Sequence, residues 1–323
     1  MDYSLIGKAG IVTRWTAPPI IVLGVLANCL NIIILRKPNL KRHSCSLYFI
    51  ILSINGLFYS SICITLNLLS DGYQIDLSGH SNIFCKLTTY AFNFCPHLSS
   101  YILSVASFDR YCSSSLNPRQ RRFINVQTAR WVILIVILFT GITTIPSATN
   151  FDVDDTNNIG CTSSPNVLFN QVYLIIQVIL LVIISPFLMI LFGFLTIYNI
   201  HKSNQNHGMA IRYRPSEGQL ARMLIVQVSS QIILSLPFVT ILFMTILPIS
   251  FSSTIIFYFL FIIFKIPFYI TFITPFFLYI LSARMYRDEL IQIMKKLFRI
   301  QTQAAVHPIA TLTISRQFVT KHH

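Results

Sequence analysis

Acidic residues, and charged residues in general, are scarce in this sequence. Of its 323 residues only 10 are Asp or Glu, and all charged residues together make up 11%. So few charges cannot cover the surface of a water-soluble protein of this length, which argues against a soluble enzyme. Apolar residues make up 54% and the mean hydropathy is +0.66, which excludes a disordered chain. The composition therefore indicates that lipid surrounds much of the protein.

Catalytic motifs are also missing. The sequence has no His-Glu-x-x-His, no Gly-x-Ser-x-Gly and no Gly-rich phosphate loop followed by Lys. The aligned acid–base pairs of an intramembrane protease are absent as well. We therefore expect no enzyme activity, no cofactor and no metal site.

Seven apolar stretches are each long enough to cross a bilayer, which takes about 20 residues. They cover residues 17–36, 46–70, 84–113, 129–149, 168–199, 220–247 and 253–281. Basic residues follow the first stretch rather than precede it, so we interpret it as a retained helix and not as a cleaved signal peptide. The predicted fold is an all-α membrane protein. A seven-transmembrane helix bundle over residues 17–281 follows an extracellular N-terminus of residues 1–16.

Basic residues are concentrated on one side of the predicted bundle. Most of the 24 Lys and Arg follow spans 1, 3, 5 and 7. The positive-inside rule then places the N-terminus outside and the C-terminus in the cytoplasm of a multi-pass plasma-membrane protein. The net charge of +14 is thus a topology signal, and we expect no nucleic-acid partner because the charge falls in separate short loops.

Span 3 ends with the triplet Asp109-Arg110-Tyr111. An acid beside an arginine at a membrane edge is costly to leave unpaired, so such pairs tend to be functional. Cys85 lies one membrane thickness before Arg110, about 37 Å along a helix. Cys161 lies in the acidic loop between spans 4 and 5, where oxidising conditions permit a disulfide with Cys85.

With these residues the chain resembles the rhodopsin-like (class A) G-protein-coupled receptors over about residues 20–300. Further landmarks of that family are Asn28 after Ala27, Trp131 at the start of span 4, and a proline in each of spans 5, 6 and 7 (Pro186, Pro237 and Pro275). The resemblance implies an outer ligand pocket that biases two arrangements of the helices. It also implies a heterotrimeric G protein as the partner at the cytoplasmic face.

The resemblance further implies an activation and coupling set, which in this sequence comprises Asp109, Arg110, Tyr111, Glu217, Pro237, Pro275 and Tyr279. Glu217 precedes Pro237 by about 30 Å of helix, which puts it at the inner end of span 6. We predict that Glu217 pairs with Arg110 in the inactive state, alongside an Arg110–Asp109 pair. The alternative is a solvated glutamate at the end of a loop.

Several positions depart from the family pattern. Asn55 replaces the usual aspartate of the buried sodium site, of which Ser99 remains, so we expect weak or absent sodium binding. The tryptophan that usually precedes the span-6 proline is missing, and in span 7 Thr274 replaces the usual asparagine and Tyr279 comes one residue late. These departures indicate a divergent branch and leave the activation relay open.

The ligand class is constrained by the residues at positions that bind the ligand in other members of the family. Phe92 replaces the aspartate of amine receptors, and Phe268 or Tyr269 replaces the lysine of opsins, which argues against an amine and a retinal ligand. The candidate ligand-binding residues are Phe92, Asn93, His97, Gln177, Gln231, Lys265 and Phe268. Lys265 either meets a ligand carboxylate, pairs with an outer aspartate or reaches the interface. His97 either lines the pocket floor or packs against a neighbouring helix.

Aspartates gather in the outer loops: Asp71, Asp76, Asp152, Asp154 and Asp155. An acidic rim above neutral polar residues favours a peptide ligand, for example a basic amidated one, although a merely solvated loop has the same composition. In this respect the chain is similar to invertebrate neuropeptide receptors such as the FMRFamide type. A chemosensory receptor of the same fold for a small molecule and a non-receptor transporter are the alternative functions.

The segment after span 7 is predicted to form an amphipathic eighth helix. Over residues 282–300 apolar residues recur at helical spacings, with Lys295, Lys296 and Arg299 between them. Such a helix lies flat on an anionic membrane surface. Residues 301–323 then form a cytoplasmic tail.

Overall fold

The computed structural model describes residues 4–41, 43–115, 117–154, 160–163, 167–205, 215–244 and 255–296. Eight long helices contain most of them: α1 (Ser4–Leu35), α2 (Ser44–Gly72), α3 (Asn82–Ser114), α4 (Val126–Thr149), α5 (167–205), α6 (Pro215–Met244), α7 (Ile255–Ser282) and α8 (284–296). Shorter helices cover Pro38–Lys41, Ser78–His80 and Pro118–Phe123. Strands β1 (Phe151–Asp154) and β2 (Gly160–Ser163) form an antiparallel hairpin between α4 and α5.

Six of these helices are long and apolar enough to cross a membrane: α1, α2 and α4 to α7. Helix α3 does not meet that standard because it carries many serine, threonine and asparagine residues. It packs against α2, α4, α5 and α6, and most of its polar residues are buried by them. A helix enclosed by its neighbours needs no apolar surface for lipid, so α3 is the seventh span. The predicted seven-helix membrane bundle is confirmed.

The helix ends differ from the predicted boundaries at both termini. Helix α1 begins at Ser4, so residues 4–16, which the sequence sets apart as an N-terminal head, continue the first span. Arg14 holds this extension in place, because its Nε donates a 2.5 Å hydrogen bond to the carbonyl of Gly72 at the end of α2. At the other terminus, α8 covers 284–296 of the predicted 282–300, and residues 297–323 lie outside the described chain.

Two helices contain π-helical turns. Helix α2 has them at Tyr59–Cys63 and Leu68–Gly72, and α5 has one at Ile179–Ile184. Pro186, just after the segment in α5, has no N–H to donate to the preceding turn, which favours a local change of winding there. Each π turn adds a residue to the helix and so rotates the side chains beyond it relative to a regular α-helix.

Helix α7 is interrupted by a turn at residues 271–273, just before Pro275. Pro275 cannot donate to the Thr271 carbonyl, and the Thr274 hydroxyl donates to it instead at 3.1 Å. The Asn28 amide of α1 donates to the Phe272 carbonyl at 2.9 Å and to Gly24 of its own helix at 2.8 Å. Helix α1 therefore supplies a hydrogen bond to a backbone carbonyl at the break in α7.

Candidate ligand cavity and coupling site

A cavity of about 260 Å³ lies between α2, α3, α5, α6 and α7, in the half of the bundle nearer Cys85. We call the Cys85 side the disulfide end and the Arg110 side the arginine end. Six of the seven candidate ligand-binding residues line the cavity: Phe92, Asn93, His97, Gln177, Lys265 and Phe268. The structure thus brings together candidate residues from three different spans.

Gln231 does not line this cavity. It lies on the wall of an adjoining cavity of about 90 Å³, together with Pro186 and Ser235. Phe238 and Phe268 border both spaces. Gln231 precedes Phe238 by two helical turns, so it faces the same way but lies about 10 Å nearer the arginine end.

Lys265 is paired with an aspartate. Its Nζ donates to Oδ2 of Asp71 at 2.8 Å and to Oδ1 of Asn67 at 3.2 Å, both on α2. The ammonium also lies 4.7 Å from the centre of the Phe261 ring. Of the three roles that the sequence leaves open for Lys265, this geometry corresponds to pairing with an outer aspartate.

His97 both packs and lines the cavity. Its Nδ1 lies 2.7 Å from the carbonyl oxygen of Asn93, and since a carbonyl only accepts, Nδ1 carries the proton. In the neutral ring Nε2 is then an acceptor. Across the wall, Nε2 of Gln177 donates to the Thr143 carbonyl of α4 at 3.0 Å, which leaves the Gln177 Oε1 as an acceptor.

Aromatic residues that the sequence did not single out complete the wall. Tyr59 stacks on Phe272 at 4.0 Å between ring centres, and Phe238 stacks on Phe268 at 4.8 Å. Phe238 directly follows Pro237, so an aromatic ring is present near the position where the family has tryptophan. The adjacency to Pro237 is a signal for Phe238, whereas nothing in the sequence around Tyr59 singles out that residue.

The predicted disulfide between Cys85 and Cys161 is confirmed. It joins the start of α3 to β2, with the two Cα atoms 5.6 Å apart. Next to it, Lys86 and Asp152 of β1 form an exposed ion pair at 2.8 Å, and the hydrogen bond from Lys86 lowers the pKa of Asp152. Asp71 and Asp152 of the predicted acidic rim therefore each carry a lysine partner.

At the arginine end, Asp109 and Arg110 form a buried ion pair. Nη2 of Arg110 donates to Oδ2 of Asp109 at 2.7 Å and to the Ser44 hydroxyl at 3.2 Å. Ser44, the first residue of α2, in turn donates to the same Asp109 oxygen at 2.9 Å. All three side chains are buried, so α2 and α3 are joined by a closed polar triangle.

The other predicted coupling residues lie on α3, α6 and α7. Tyr111 stacks on Phe192 of α5 with 5.9 Å between ring centres. Tyr279 is fully buried, and its hydroxyl donates to Oε1 of Gln227 in α6. Pro237 lies within α6 and Pro275 at the start of the last segment of α7. Glu217 belongs to the first turn of α6, but its side chain is outside the described residues, so the Arg110–Glu217 pair stays a prediction.

A second cavity of about 240 Å³ lies beside Arg110, between α3, α5 and α6. Its lining is otherwise largely apolar, with Met189, Ile225 and Ile232 among its residues. Packing between α6 and the two neighbouring helices is therefore incomplete next to the buried ion pair. Leu220 and Met223 of α6 are nevertheless fully buried at this end, so movement of α6 there would break packing contacts.

Asn55 and Ser99 are directly bonded to each other in the middle of the bundle. The Asn55 Nδ2 donates to the Ser99 hydroxyl and to the Cys95 carbonyl, both at 2.8 Å. These oxygens therefore receive N–H groups, where a cation would need their lone pairs. In the part of the chain that the structure describes, no three His, Cys, Asp or Glu side chains are grouped to hold a metal ion.

Comparison with known proteins gives one family. Residues 27–279 match the family described as 7 transmembrane receptor (rhodopsin family). A search of curated proteins gives no match.

Proposed function

This chain belongs to the rhodopsin family of seven-transmembrane receptors, and we propose that it binds an extracellular peptide and activates a heterotrimeric G protein. The observation that carries the proposal lies on α3. One end of this helix contributes Phe92, Asn93 and His97 to a ligand-sized cavity, and the other end holds the buried Asp109–Arg110 pair. A ligand in the cavity contacts the same helix that carries the coupling residues, which provides a route for a population shift.

We propose that the disulfide end faces the exterior and the arginine end the cytoplasm. The support is the concentration of Lys and Arg after spans 1, 3, 5 and 7. On intact cells, antibody is expected to bind a tag fused before residue 1, and a tag after residue 323 only once the cells are permeabilised. The reverse pattern would refute this topology.

A peptide ligand is supported by the mixed character of the cavity wall. Amide side chains of Asn93 and Gln177 stand among aromatic rings, and their amide oxygens can accept hydrogen bonds from a peptide backbone. Divergence from the family motifs agrees with the neuropeptide-receptor type proposed from the sequence. The coupling set of Asp109, Arg110, Tyr111, Glu217, Pro237, Pro275 and Tyr279 is proposed to transmit binding to the G protein.

A chemosensory receptor for a small apolar molecule is the second candidate. It is favoured by the size of the cavity, about 260 Å³, and by the number of aromatic side chains on its wall. A transporter has less support, because α3 is enclosed by four helices and carries its ion pair in a closed triangle.

The deciding experiment is a screen on cells that express the chain. Amidated peptides and small apolar compounds are applied separately, and G-protein dissociation and uptake of labelled compound are both measured. We expect peptides to cause dissociation in the wild type and none in Arg110→Gln at matched surface expression. Responses to small compounds alone would favour the chemosensory function, and uptake without dissociation would refute the receptor proposal.

A further inference from the structure

Two hydrogen-bond acceptors on the cavity wall make no hydrogen bond of normal geometry with the described residues, although their side chains lie close to each other and the Tyr173 hydroxyl lies close to Gln177. They are Nε2 of His97 and Oε1 of Gln177. Both side chains are deeply buried, at 3% and 6% exposure, and both line the cavity. Buried polar atoms in folded proteins are nearly always bonded, so two such atoms in one cavity indicate that something else supplies the hydrogens.

Their own contacts fix both atoms as acceptors. The Nδ1 of His97 must donate to the Asn93 carbonyl, and the Nε2 of Gln177 must donate to the Thr143 carbonyl. Turning the Gln177 amide over would set its oxygen against the Thr143 carbonyl oxygen, so that rotation is disfavoured. A neutral His97 cannot donate to Gln177 either. His97 and Gln177 therefore present two acceptors to the cavity.

The charge of the cavity decides between the possible donors. Ammonium, guanidinium and primary amide groups each carry at least two polar hydrogens. None of the described lining residues is Asp or Glu, and the one charged side chain among them is Lys265. Lys265 is already paired with Asp71, so a ligand cation beside His97 and Gln177 would be buried without a counter-ion among the lining residues, which is strongly unfavourable. A neutral primary amide supplies the hydrogens without that penalty.

We propose that His97 and Gln177 form a subsite for a neutral primary carboxamide of the ligand, with the amide nitrogen donating to both acceptors. The Tyr269 hydroxyl, on the α7 side of the cavity, is a further buried atom without a partner and is available to the rest of the ligand. The subsite rests on the proposed function only in taking this cavity as the binding site. It specifies a chemical group and not a whole ligand.

Three fragments of one scaffold test the subsite on the purified full-length protein: 2-phenylacetamide, phenylacetate and 2-phenylethylamine. They present a neutral amide, an anion and a cation at nearly the same size. Thermal stabilisation is measured as a function of fragment concentration. We expect 2-phenylacetamide to stabilise the wild type at the lowest concentration. Equal stabilisation by all three fragments, or by none, would overturn the proposal.

Variants assign the effect to the two residues. Gln177→Leu and His97→Phe are each expected to weaken 2-phenylacetamide about tenfold, the effect of losing one good hydrogen bond. Gln171→Leu, at an exposed glutamine of the same helix outside both cavities, is the matched control and should leave the response unchanged. Gln177→Glu supplies a carboxylate and should reverse the preference toward 2-phenylethylamine. Because Gln177→Glu is expected to gain binding of 2-phenylethylamine, the test stays decisive even if one of the other variants does not fold.

The outcome separates the subsite from the proposed function. Stabilisation by 2-phenylacetamide that depends on Gln177, without G-protein activation by any peptide, would support the subsite and contradict peptide signalling. Peptide signalling that is equally strong in the wild type, Gln177→Leu and His97→Phe would support the receptor and overturn the subsite.

Discussion

Lys265 of α7 and Asp71 of α2 form an ion pair beside the cavity, with Nζ 2.8 Å from Oδ2. Their side chains are only 14% and 16% exposed, so the pair is largely shielded from water. An ammonium at this depth is tolerated in a membrane protein when it has a partner. The pair therefore ties α2 to α7 beside the cavity.

Breaking this pair on one side should destabilise the protein. We expect Lys265→Met or Asp71→Asn to cost about 2 kcal/mol, because each leaves the other group without its partner in a poorly solvated place. The double variant should cost less than the sum of the two. The measurement is the melting temperature of the purified variants. Strictly additive losses would show that the two groups do not depend on each other, and Lys86→Met, which breaks an exposed pair, is the control.

The polar triangle at the arginine end should restrain the resting state. Ser44→Ala removes the hydroxyl that donates to Asp109 and accepts from Arg110, so Arg110 is held less firmly. We expect basal nucleotide exchange on a reconstituted G protein to rise roughly fivefold, which corresponds to about 1 kcal/mol. Ser46→Ala is a matched control two residues along α2, because its buried hydroxyl has no partner. An equal rise in both variants would argue against a specific restraint.

Glu217 is predicted to hold Arg110 from α6. Glu217→Ala should raise basal signalling because the inactive arrangement loses a charged contact between the two helices. Receptor signalling is compared with the wild type at matched surface expression, and the charge-retaining Glu217→Asp should change it less. Unchanged basal signalling in Glu217→Ala would count against the contact.

Sodium should have little effect on this protein, since Asn55 already donates to the Ser99 hydroxyl. We expect the same melting temperature in sodium chloride and in choline chloride of equal ionic strength. Asn55→Asp replaces the donor with a carboxylate and should create a measurable sodium dependence, because hard cations prefer oxygen ligands. A wild-type protein that is stabilised specifically by sodium would contradict the prediction.

The disulfide should be required for stability at the disulfide end. Cys85→Ser or Cys161→Ser is expected to cost about 2–4 kcal/mol, since the bond closes a long stretch of chain. Reductant should lower the melting temperature of the wild type but not of either variant. Cys29→Ser, which changes a free cysteine, is the control. Equal sensitivity to reductant in all four proteins would point to another cause.

The bundle and its disulfide could be predicted because they depend on simple quantities. Lengths of apolar sequence and the side on which Lys and Arg accumulate predict the spans, and the distance from Cys85 to Arg110 fits one membrane thickness. The partner of Lys265 could not be chosen in this way. Asp71 lies within the second π turn of α2, and such turns change which side chains face inward without any mark in the sequence.

The cavity was predictable in part, for a similar reason. Polar residues such as Asn93, His97 and Gln177 stand out in apolar helices, since burial in a membrane protein requires a role for them. Tyr59 and Phe261 also line the cavity, but in helices apolar on all sides no periodicity separates an inward ring from a lipid-facing one. Gln231 faces the correct way but at the wrong depth, a difference of two turns that a helical pattern does not reveal.

The bond from Asn28 to the Phe272 carbonyl bears on how the protein is made. The ribosome releases α7 after the six other spans, so this bond forms only after the first and the last span have both been synthesised. The last span to be synthesised therefore gains this hydrogen bond only when it packs against the first. Loss of α1 would therefore remove a hydrogen bond from α7, although these two spans are the furthest apart in the order of translation.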